Sequence, residues 1–243
     1  MAEPTTATVV TGGSSGIGAA VARAGLERGP VATVQRGPGP AGTTHVRADL
    51  LDVDRARTAV HDALDVVAPP DRPVDRVVVL HAAATVEPIG FAAEVDPGDY
   101  ARAFDLDVRA AVVVGAAALA ALGSRPGRRQ LVQVTSGAAS SVYAGWSAYG
   151  PAKAAVEHWV ATVAEEQRLR GGLEVLAVAP GVVATSMQEV IRATDARDFP
   201  RVDKFRDLHE AGDLRDPDDV AAQLWGLLDG PARSGEAVDL RDR

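Results

Sequence analysis

The chain has 243 residues, of which 47% are hydrophobic and 24% are charged, and its formal net charge is −8. This composition predicts one large α/β domain, and the acidic charge argues against nucleic acid or an anionic membrane surface as a partner. No apolar run reaches about 18 residues, so we expect no transmembrane helix. The absence of cysteine excludes disulfides, thiol catalysis and thiolate metal sites. We expect no metal site, and the lack of a secretory leader pattern predicts a cytoplasmic protein.

A glycine-rich turn follows the first predicted strand. Thr8–Thr11 is a short β-branched run, residues 12–18 read Gly-Gly-Ser-Ser-Gly-Ile-Gly, and an alanine-rich segment comes next. This order is typical of a phosphate-binding βαβ unit, because glycines let the backbone approach a pyrophosphate and the helix N-terminus offers free N–H groups. No lysine follows the glycines, so a nucleoside-triphosphate loop is not indicated. A glycine-rich turn without a ligand is the alternative.

The second and third predicted strands bear on the choice of cofactor. Val31–Val34 is followed by Gln35 and Arg36, with no acidic residue beside them. A free ribose 2′-hydroxyl calls for an acidic residue here, whereas a 2′-phosphate calls for a cation, so Arg36 favours NADP(H). A solvated loop arginine is the alternative. At the end of the third predicted strand (45–50), Asp49 is placed to bond an adenine amino group or to cap the next helix.

The middle of the chain alternates a predicted helix with a buried strand. Residues 52–67 have helical periodicity, and the fully apolar run Val77–Leu80 is typical of a central parallel strand. It leads into His81–Ala84, where small residues would let a cofactor pass close to the backbone. His81 is either a structural residue or a ligand or acid. The structural role is favoured, because no second His, Asp or Glu is spaced to join it.

A long helix is predicted from Pro97 to about Leu122, with Asp96 as its N-cap. Its second half is nearly all alanine and valine, which suits either the core or contact with the same helix of a second subunit. The next predicted strand is Leu131–Thr135, and Ser136 follows it. Ligands bind beyond the carboxyl ends of parallel strands, so Ser136 is well placed to touch a substrate, although an ordinary turn serine is the alternative.

Tyr149 and Lys153 lie four residues apart, which puts them on one face of a predicted helix that ends near Arg170. An ammonium beside a phenol lowers the tyrosine pKa, as a general acid or base near neutral pH requires. The chain has two lysines, Lys153 and Lys204, among 25 basic residues. A lysine in so arginine-rich a chain indicates that a compact ammonium is needed. A solvated helix edge is the alternative.

The last third of the chain contains a segment of different character. After a buried strand at Val175–Val178 and the sequence Pro180-Gly181-Val-Val-Ala-Thr185, residues 186–213 mix charges with large apolar side chains. This composition suits a mobile flap over a site, or else a plain pair of surface helices. Asp216 and the following proline predict the start of another helix, and Ala237–Leu240 is a final short strand.

Taken together, these motifs resemble the short-chain dehydrogenase/reductase family. The resemblance rests on Thr11-Gly12-x-x-x-Gly16-x-Gly18, Ser136, Tyr149-x-x-x-Lys153 and Pro180-Gly181-x-x-x-Thr185, and it covers essentially the whole chain. A closer likeness is to the benzil reductase and sepiapterin reductase branch. The segments that carry this closer likeness are 135–139, 143–149, 187–192 and 198–217. They extend through the flap and so bear on the substrate as well as on the fold.

The resemblance implies a single-domain Rossmann-type doubly wound parallel sheet over residues 1–243, with helices on both faces, and hydride transfer between NADP(H) and a carbonyl or alcohol. It implies that Tyr149 donates a proton to the carbonyl oxygen, that Lys153 lowers the pKa of Tyr149 and holds the nicotinamide ribose, and that Ser136 hydrogen-bonds the substrate oxygen. The implied cofactor-binding residues are Gly12, Ser14, Ser15, Gly16, Ile17, Gly18, Arg36, Asp49, Leu50, Ala82, Ala83, Lys153, Pro180, Gly181, Val183 and Thr185. The implied substrate-binding residues are Ser136, Tyr143, Trp146, Met187 and Ile191.

Two positions depart from the family pattern. The family usually has Asn-Asn-Ala-Gly where this chain has His81–Ala84, and a catalytic helix asparagine where it has Asp107; asparagine is absent from the whole chain. A carboxylate near Lys153 would offset part of the lysine's field, so we expect Asp107 to leave the pKa of Tyr149 higher than in relatives.

The sequence therefore predicts an NADPH-dependent carbonyl reductase whose small-molecule substrate is a dicarbonyl or hydrophobic aryl ketone, such as a benzil- or sepiapterin-like compound. One alternative is an alcohol dehydrogenase that oxidises a sugar- or steroid-like alcohol. Another is a non-catalytic NADP-binding sensor or structural subunit, which the two altered asparagine positions motivate. The smooth helix ending near Leu122 and the Tyr149 helix predict a homodimer, or a homotetramer.

Overall fold

The computed structural model describes residues 5–72, 74–123, 125–170 and 172–242. Within them, seven strands form one parallel sheet in the order β3-β2-β1-β4-β5-β6-β7. The strands are β1 (Thr6–Thr11), β2 (Val31–Gln35), β3 (Thr44–Arg47), β4 (Arg76–His81), β5 (Arg128–Val134), β6 (Glu174–Ala179) and β7 (Ala237–Asp239). The strand order changes direction between β1 and β4, which creates the crevice where open α/β sheets bind ligands.

Helices cover both faces of the sheet. They are α1 (Gly16–Gly25), α2 (Val53–Val67), α3 (Pro97–Phe104), α4 (Ala111–Leu122), α5 (Tyr149–Arg170), α6 (Ser186–Ala193), α7 (Val202–Glu210) and α8 (Pro217–Asp229). One apolar core joins α2, α4 and α5 to the sheet, and a second joins α1 and α8 to its other face. Strands buried on both faces account for the continuous apolar runs in the sequence. The predicted fold class, a doubly wound parallel sheet with helices on both faces, is confirmed.

The long helix predicted from Pro97 to Leu122 is interrupted. Asp96 caps α3 as expected, since its carboxylate accepts a hydrogen bond from the N–H of Gly98 at 2.8 Å. Between α3 and α4, however, residues Asp105–Ala110 form a π-helical segment, so the prediction of one continuous α-helix is wrong there. Segments of this kind occur frequently at functional sites, and this one carries Asp107.

Several predicted boundaries shift in the structure. The third strand ends at Arg47, before residues 48–50 of the predicted segment. Asp52 caps α2 by accepting a hydrogen bond from the N–H of Arg55 at 3.1 Å, so the alternative that Asp49 caps this helix is wrong. The segment 186–213 contains α6 and α7, which form a helix pair. The last strand ends at Asp239, one residue early.

Gly171, at the predicted end of the Tyr149 helix, lies outside the described residues. Among the described residues, none of the helices combines the length and the apolar character needed to cross a bilayer.

Candidate active site

A cavity of about 940 Å³ lies at the carboxyl ends of β1, β4, β5 and β6. Its lining includes Ser136, Tyr149 and Lys153, all of the cofactor-binding residues predicted from the sequence, and all of the predicted substrate-binding residues. These residues come from positions 12 to 191 of the chain, and the sheet brings them to one edge. Asp107 is the predicted site residue that does not line the cavity; it lies behind it, buried to 2% exposure.

The glycine-rich loop between β1 and α1 forms one end of the cavity. Gly12 has a φ of 76°, and a Cβ added to it would lie 2.5 Å from the backbone nitrogen of Ala83. A Cβ on Gly18 would lie 2.3 Å from the carbonyl oxygen of Gly12. The Ser15 side chain makes no capping hydrogen bond to α1, so the first N–H groups of this helix are available to an anion. The loop therefore fits the pyrophosphate of a dinucleotide.

Arg36, the residue that follows β2, is a cation that faces this part of the cavity. The Gln35 side chain is buried and bonded at both ends, because its oxygen accepts from the N–H of Gly13 at 3.2 Å and its nitrogen donates to the hydroxyl of Thr33 at 3.0 Å. Arg36 is exposed and lines the cavity. Asp49 also lines it, and one of its oxygens accepts from the N–H of Leu51 at 3.0 Å.

Ser136, Tyr149 and Lys153 meet at the centre of the cavity. Ser136 lies two residues beyond β5, where it caps a short 3-10 turn at Gly137–Ala139, and Tyr149 is the first residue of α5. Both hydroxyls are therefore held close to the ends of regular elements. Lys153 is one helical turn further along α5 and is buried to 4% exposure. Its Nζ donates a hydrogen bond to the carbonyl oxygen of Val134 at 3.2 Å and lies 5.7 Å from the centre of the Tyr149 ring.

The pKa of Tyr149 is raised to about 12, which is opposite to the direction that the sequence predicted. Burial of the phenol is the largest cause. A hydrogen bond from Ser136 acts in the other direction, and the charge of Asp107 raises the pKa further, as expected for that residue. Burial prevails because desolvation penalises the phenolate. Tyr149 is therefore protonated at neutral pH and is poised to donate a proton.

Asp107 acts on the site through Lys153. Its carboxylate accepts a hydrogen bond from the N–H of Thr85, on the loop after β4, at 2.8 Å. Burial raises the pKa of Asp107 to about 6, against the opposing effects of Lys153 and of the Thr85 hydrogen bond. Burial also lowers the pKa of Lys153, and Asp107 raises it. When ionised, Asp107 thus provides a negative charge that favours the buried ammonium.

His81, the last residue of β4, is buried beside Thr11 of β1. It is buried to 3% exposure, and its Nδ1 shares a hydrogen bond with the hydroxyl of Thr11 at 2.7 Å. Burial, helped by the charge of Lys153, lowers the pKa of His81 to about 3, so the imidazole is neutral. Its Nε2 has no hydrogen-bond partner in the part of the chain that the structure describes.

Aromatic rings form the wall of the cavity opposite the glycine loop. Trp146 stacks on Phe199 with ring centres 4.7 Å apart, and its centre lies 4.8 Å from Tyr143 and 5.4 Å from Tyr149. Phe205 lies 5.4 Å from Trp146 and lines the cavity. Sequence reasoning placed Phe199 and Phe205 in the flap without assigning them to the site. The signal that could have found Phe205 is its spacing from Val202, which puts both on the buried face of α7. Phe199 lies between α6 and α7 and does not itself line the cavity.

Residues 6–196 match the family described as short chain dehydrogenase. This chain belongs to that family. It is 30% identical over 239 residues to a benzil reductase ((S)-benzoin forming) of Bacillus subtilis, covering 96% of this chain and 98% of the relative. A benzil reductase of Saccharomyces cerevisiae is 36% identical over 138 residues, 56% of this chain and 52% of that one. The crystal structure of the yeast short-chain dehydrogenase/reductase YIR035C superposes with a TM-score of 0.83 at 26% identity, covering 98% of this chain and 96% of that chain. The resemblance inferred from the motifs is confirmed.

Proposed function

We propose that this short-chain dehydrogenase is an NADPH-dependent carbonyl reductase whose substrate is a dicarbonyl compound or a hydrophobic aryl ketone. The observation that carries the proposal is the shared cavity, in which Ser136, Tyr149 and Lys153 stand between the glycine-rich loop and the aromatic wall. The family uses a nicotinamide cofactor, and the full-length similarity to a benzil reductase supports carbonyl reduction.

The residues around the glycine-rich loop fit the cofactor. The loop and the start of α1 would hold the pyrophosphate, Thr185 and Gly181 would border the nicotinamide, and Asp49 would reach the adenine. Arg36 supports NADPH over NADH, because a guanidinium suits a 2′-phosphate. When bound, the reduced nicotinamide supplies the hydride. The protein must then orient the carbonyl, exclude water and deliver a proton.

In the proposed reaction, the hydroxyls of Ser136 and Tyr149 donate hydrogen bonds to the carbonyl oxygen of the substrate. As negative charge develops on that oxygen, Tyr149 transfers its phenolic proton to it. Lys153 stabilises the phenolate that remains, because its ammonium lies 5.7 Å from the ring centre in a buried site. Asp107 keeps Lys153 charged.

The protonation state of Tyr149 favours reduction over the alternative of alcohol oxidation. Oxidation needs a phenolate as base, but burial raises the pKa of Tyr149 to about 12, which disfavours that form at neutral pH. Reduction needs the phenol, which is the form present. The lining favours an apolar substrate over a sugar, because Tyr143, Trp146, Met187 and Phe205 all contribute to it.

The proposal is tested by following NADPH consumption with benzil, other diketones and aryl ketones, and by repeating the assay with NADH. We expect turnover with benzil-like diketones and a preference for NADPH. Tyr149→Phe should lower kcat by about 10³-fold or more, since the proton donor is lost. Tyr100→Phe is the matched control, because Tyr100 bonds Ser147 outside the cavity. NADPH binding without turnover on any carbonyl would instead favour the non-catalytic sensor.

We also propose that the chain forms a homodimer or homotetramer and acts in the cytoplasm. The second half of α4 supports the assembly, because Ala116 and Ala120 are exposed on a smooth face beside α5. The absence of cysteine supports a reducing compartment. Gel filtration with light scattering would decide the assembly.

A further inference from the structure

The second lysine of the chain, Lys204, faces the same cavity as Lys153. It lies on α7, is exposed, and belongs to the cavity lining. Its Nζ donates a hydrogen bond to the hydroxyl of Tyr143 at 2.9 Å and lies 5.4 Å from the centre of that ring and 5.5 Å from the centre of the Phe205 ring. The ammonium is therefore held against the aromatic wall.

The charge of Lys204 is not balanced by the protein. Within the described residues, no carboxylate oxygen lies within 4.0 Å of its Nζ. Two other cations of the cavity lining are paired, Arg102 with Asp99 and Arg241 with Asp239, whereas Arg36 and the buried Lys153 make no ion pair among the described residues. Even the neighbouring Asp203 pairs with Arg206 and not with Lys204. Glu87 also lines the cavity, but it is not paired with Lys204.

The composition of the chain supports a specific role for Lys204. Of 25 basic residues, 23 are arginine, and the two lysines both line this cavity. A lysine ammonium is compact and brings its full charge close to one acceptor, whereas a guanidinium spreads its charge over a planar fork. Tyr143 adds to the site, because its oxygen accepts from Lys204 and leaves its own O–H free to donate. An ammonium and a phenol side by side suit an anionic oxygen.

The position of this donor pair relative to the reacting carbonyl follows from the aromatic rings. Trp146 lies between the two tyrosines, 5.4 Å from Tyr149 and 4.8 Å from Tyr143. Tyr143, Trp146, Tyr149 and Lys204 all belong to the lining of this cavity. A substrate whose carbonyl binds at Tyr149 and whose body extends past Trp146 would place its far end at Tyr143 and Lys204. The donor pair is thus about one aromatic ring away from the reaction.

We propose that Lys204 and Tyr143 bind a carboxylate at the far end of the substrate, so that the preferred substrates are aryl or similarly apolar carbonyl compounds with a carboxylate about one ring from the reacting carbonyl. This inference rests on the proposed carbonyl reductase function and narrows it. Lys204 is a specificity residue: it selects the substrate by its charge and takes no part in proton transfer.

The test compares 4-carboxybenzil with its methyl ester, which differ in charge at the far end. The measured quantity is the ratio of kcat/KM for the acid to kcat/KM for the ester. In the wild-type protein we expect this ratio to exceed one, and in Lys204→Gln we expect it to fall by about tenfold, since a charge-assisted hydrogen bond is lost. Lys204→Arg should keep much of the ratio. Arg201→Gln is the matched control, because Arg201 also lies over the Tyr143 ring, at 5.3 Å, but does not line the cavity.

A second readout does not depend on turnover. Quenching of tryptophan fluorescence gives the dissociation constants of biphenyl-4-carboxylate and of the neutral biphenyl-4-carboxamide. The difference between the two constants reports how much the negative charge contributes to binding. We expect Lys204→Gln to weaken the carboxylate and not the amide. If neither benzil compound is reduced, the proposed function fails while this binding comparison still decides the anion site. An acid-to-ester ratio and a carboxylate affinity that are both unchanged in Lys204→Gln, or equally changed in Arg201→Gln, would overturn the inference.

Discussion

Replacing Asp107 by asparagine is expected to stabilise the folded chain at neutral pH. The carboxyl group is buried, and its pKa rises from 3.8 to about 6 on folding. The folded state therefore binds this proton more tightly than the unfolded state, so ionisation of Asp107 destabilises the fold as pH rises from about 4 through 6. At 1.36 kcal/mol per unit of pKa, the destabilisation is up to about 3 kcal/mol above pH 7. Asparagine removes the charge and still accepts the hydrogen bond from Thr85.

The assay is chemical denaturation of the wild-type protein and of Asp107→Asn between pH 4 and pH 8. The variant should be more stable at pH 8 by up to about 3 kcal/mol, and the difference should vanish as pH falls below the unfolded pKa near 4. Asp105→Asn is the matched control, because Asp105 lies in the same π-helical segment but is partly exposed and paired with Arg109. A variant that gains no stability at pH 8, or gains equally at pH 4, would refute the reasoning.

The same substitution should change the pH dependence of alcohol oxidation, which needs Tyr149 as base. Asp107 raises the pKa of Tyr149, so we expect Asp107→Asn to move the acidic limb of the oxidation profile to lower pH. An unmoved limb would mean that the carboxylate does not influence the phenol.

Three further substitutions test the site. Gly12→Ala should weaken cofactor binding and lower the melting temperature, because the new methyl would lie 2.5 Å from the backbone nitrogen of Ala83; Gly226→Ala, on α8 with open space around it, should instead stabilise by about 0.5–1 kcal/mol. Arg36→Ala should raise the KM for NADPH by about tenfold or more and leave that for NADH nearly unchanged, and equal changes for both would argue against 2′-phosphate binding. Trp146→Leu should raise the KM for benzil by about fivefold or more, as the aromatic cluster beside the cavity loses the ring that packs on Phe199 and Phe205; an unchanged KM would place the substrate elsewhere.

The fold and the location of the site could be predicted from the sequence because both depend on local patterns. Apolar runs such as Val77–Leu80 have one stable environment, the centre of a parallel sheet, and the glycines at 12, 16 and 18 follow a strand and precede a helix. Once parallel strands are assigned, their carboxyl ends must share an edge. Ser136 and Tyr149 are therefore brought to the cavity by topology alone.

The electrostatics of the site could not be predicted in the same way. The spacing of Tyr149 and Lys153 shows that they share a helix face, but not that both are buried, and burial decides the direction of the Tyr149 pKa. The π-helical segment at Asp105–Ala110 was not indicated by the sequence either, and the hydrogen bond from Thr85 to Asp107 within it joins residues 22 positions apart. Lys204 was noted for its rarity alone, since its position over Tyr143 requires the fold of residues far apart in sequence.

Asp107 couples two opposing effects, and this explains how a carboxylate can replace an amide here. It raises the pKa of Tyr149, which makes the phenol a weaker acid, and it raises the pKa of Lys153, which keeps the ammonium charged in a buried site. An amide at the same position would remove the charge that raises the pKa of Tyr149. It would also leave the buried Lys153 ammonium without a countercharge to offset its desolvation. Asp107→Asn should therefore also move the alkaline loss of reductase activity to lower pH, because Lys153 would lose its proton more readily. A reduction profile whose alkaline side is unchanged in that variant would show that Lys153 does not depend on the carboxylate for its charge.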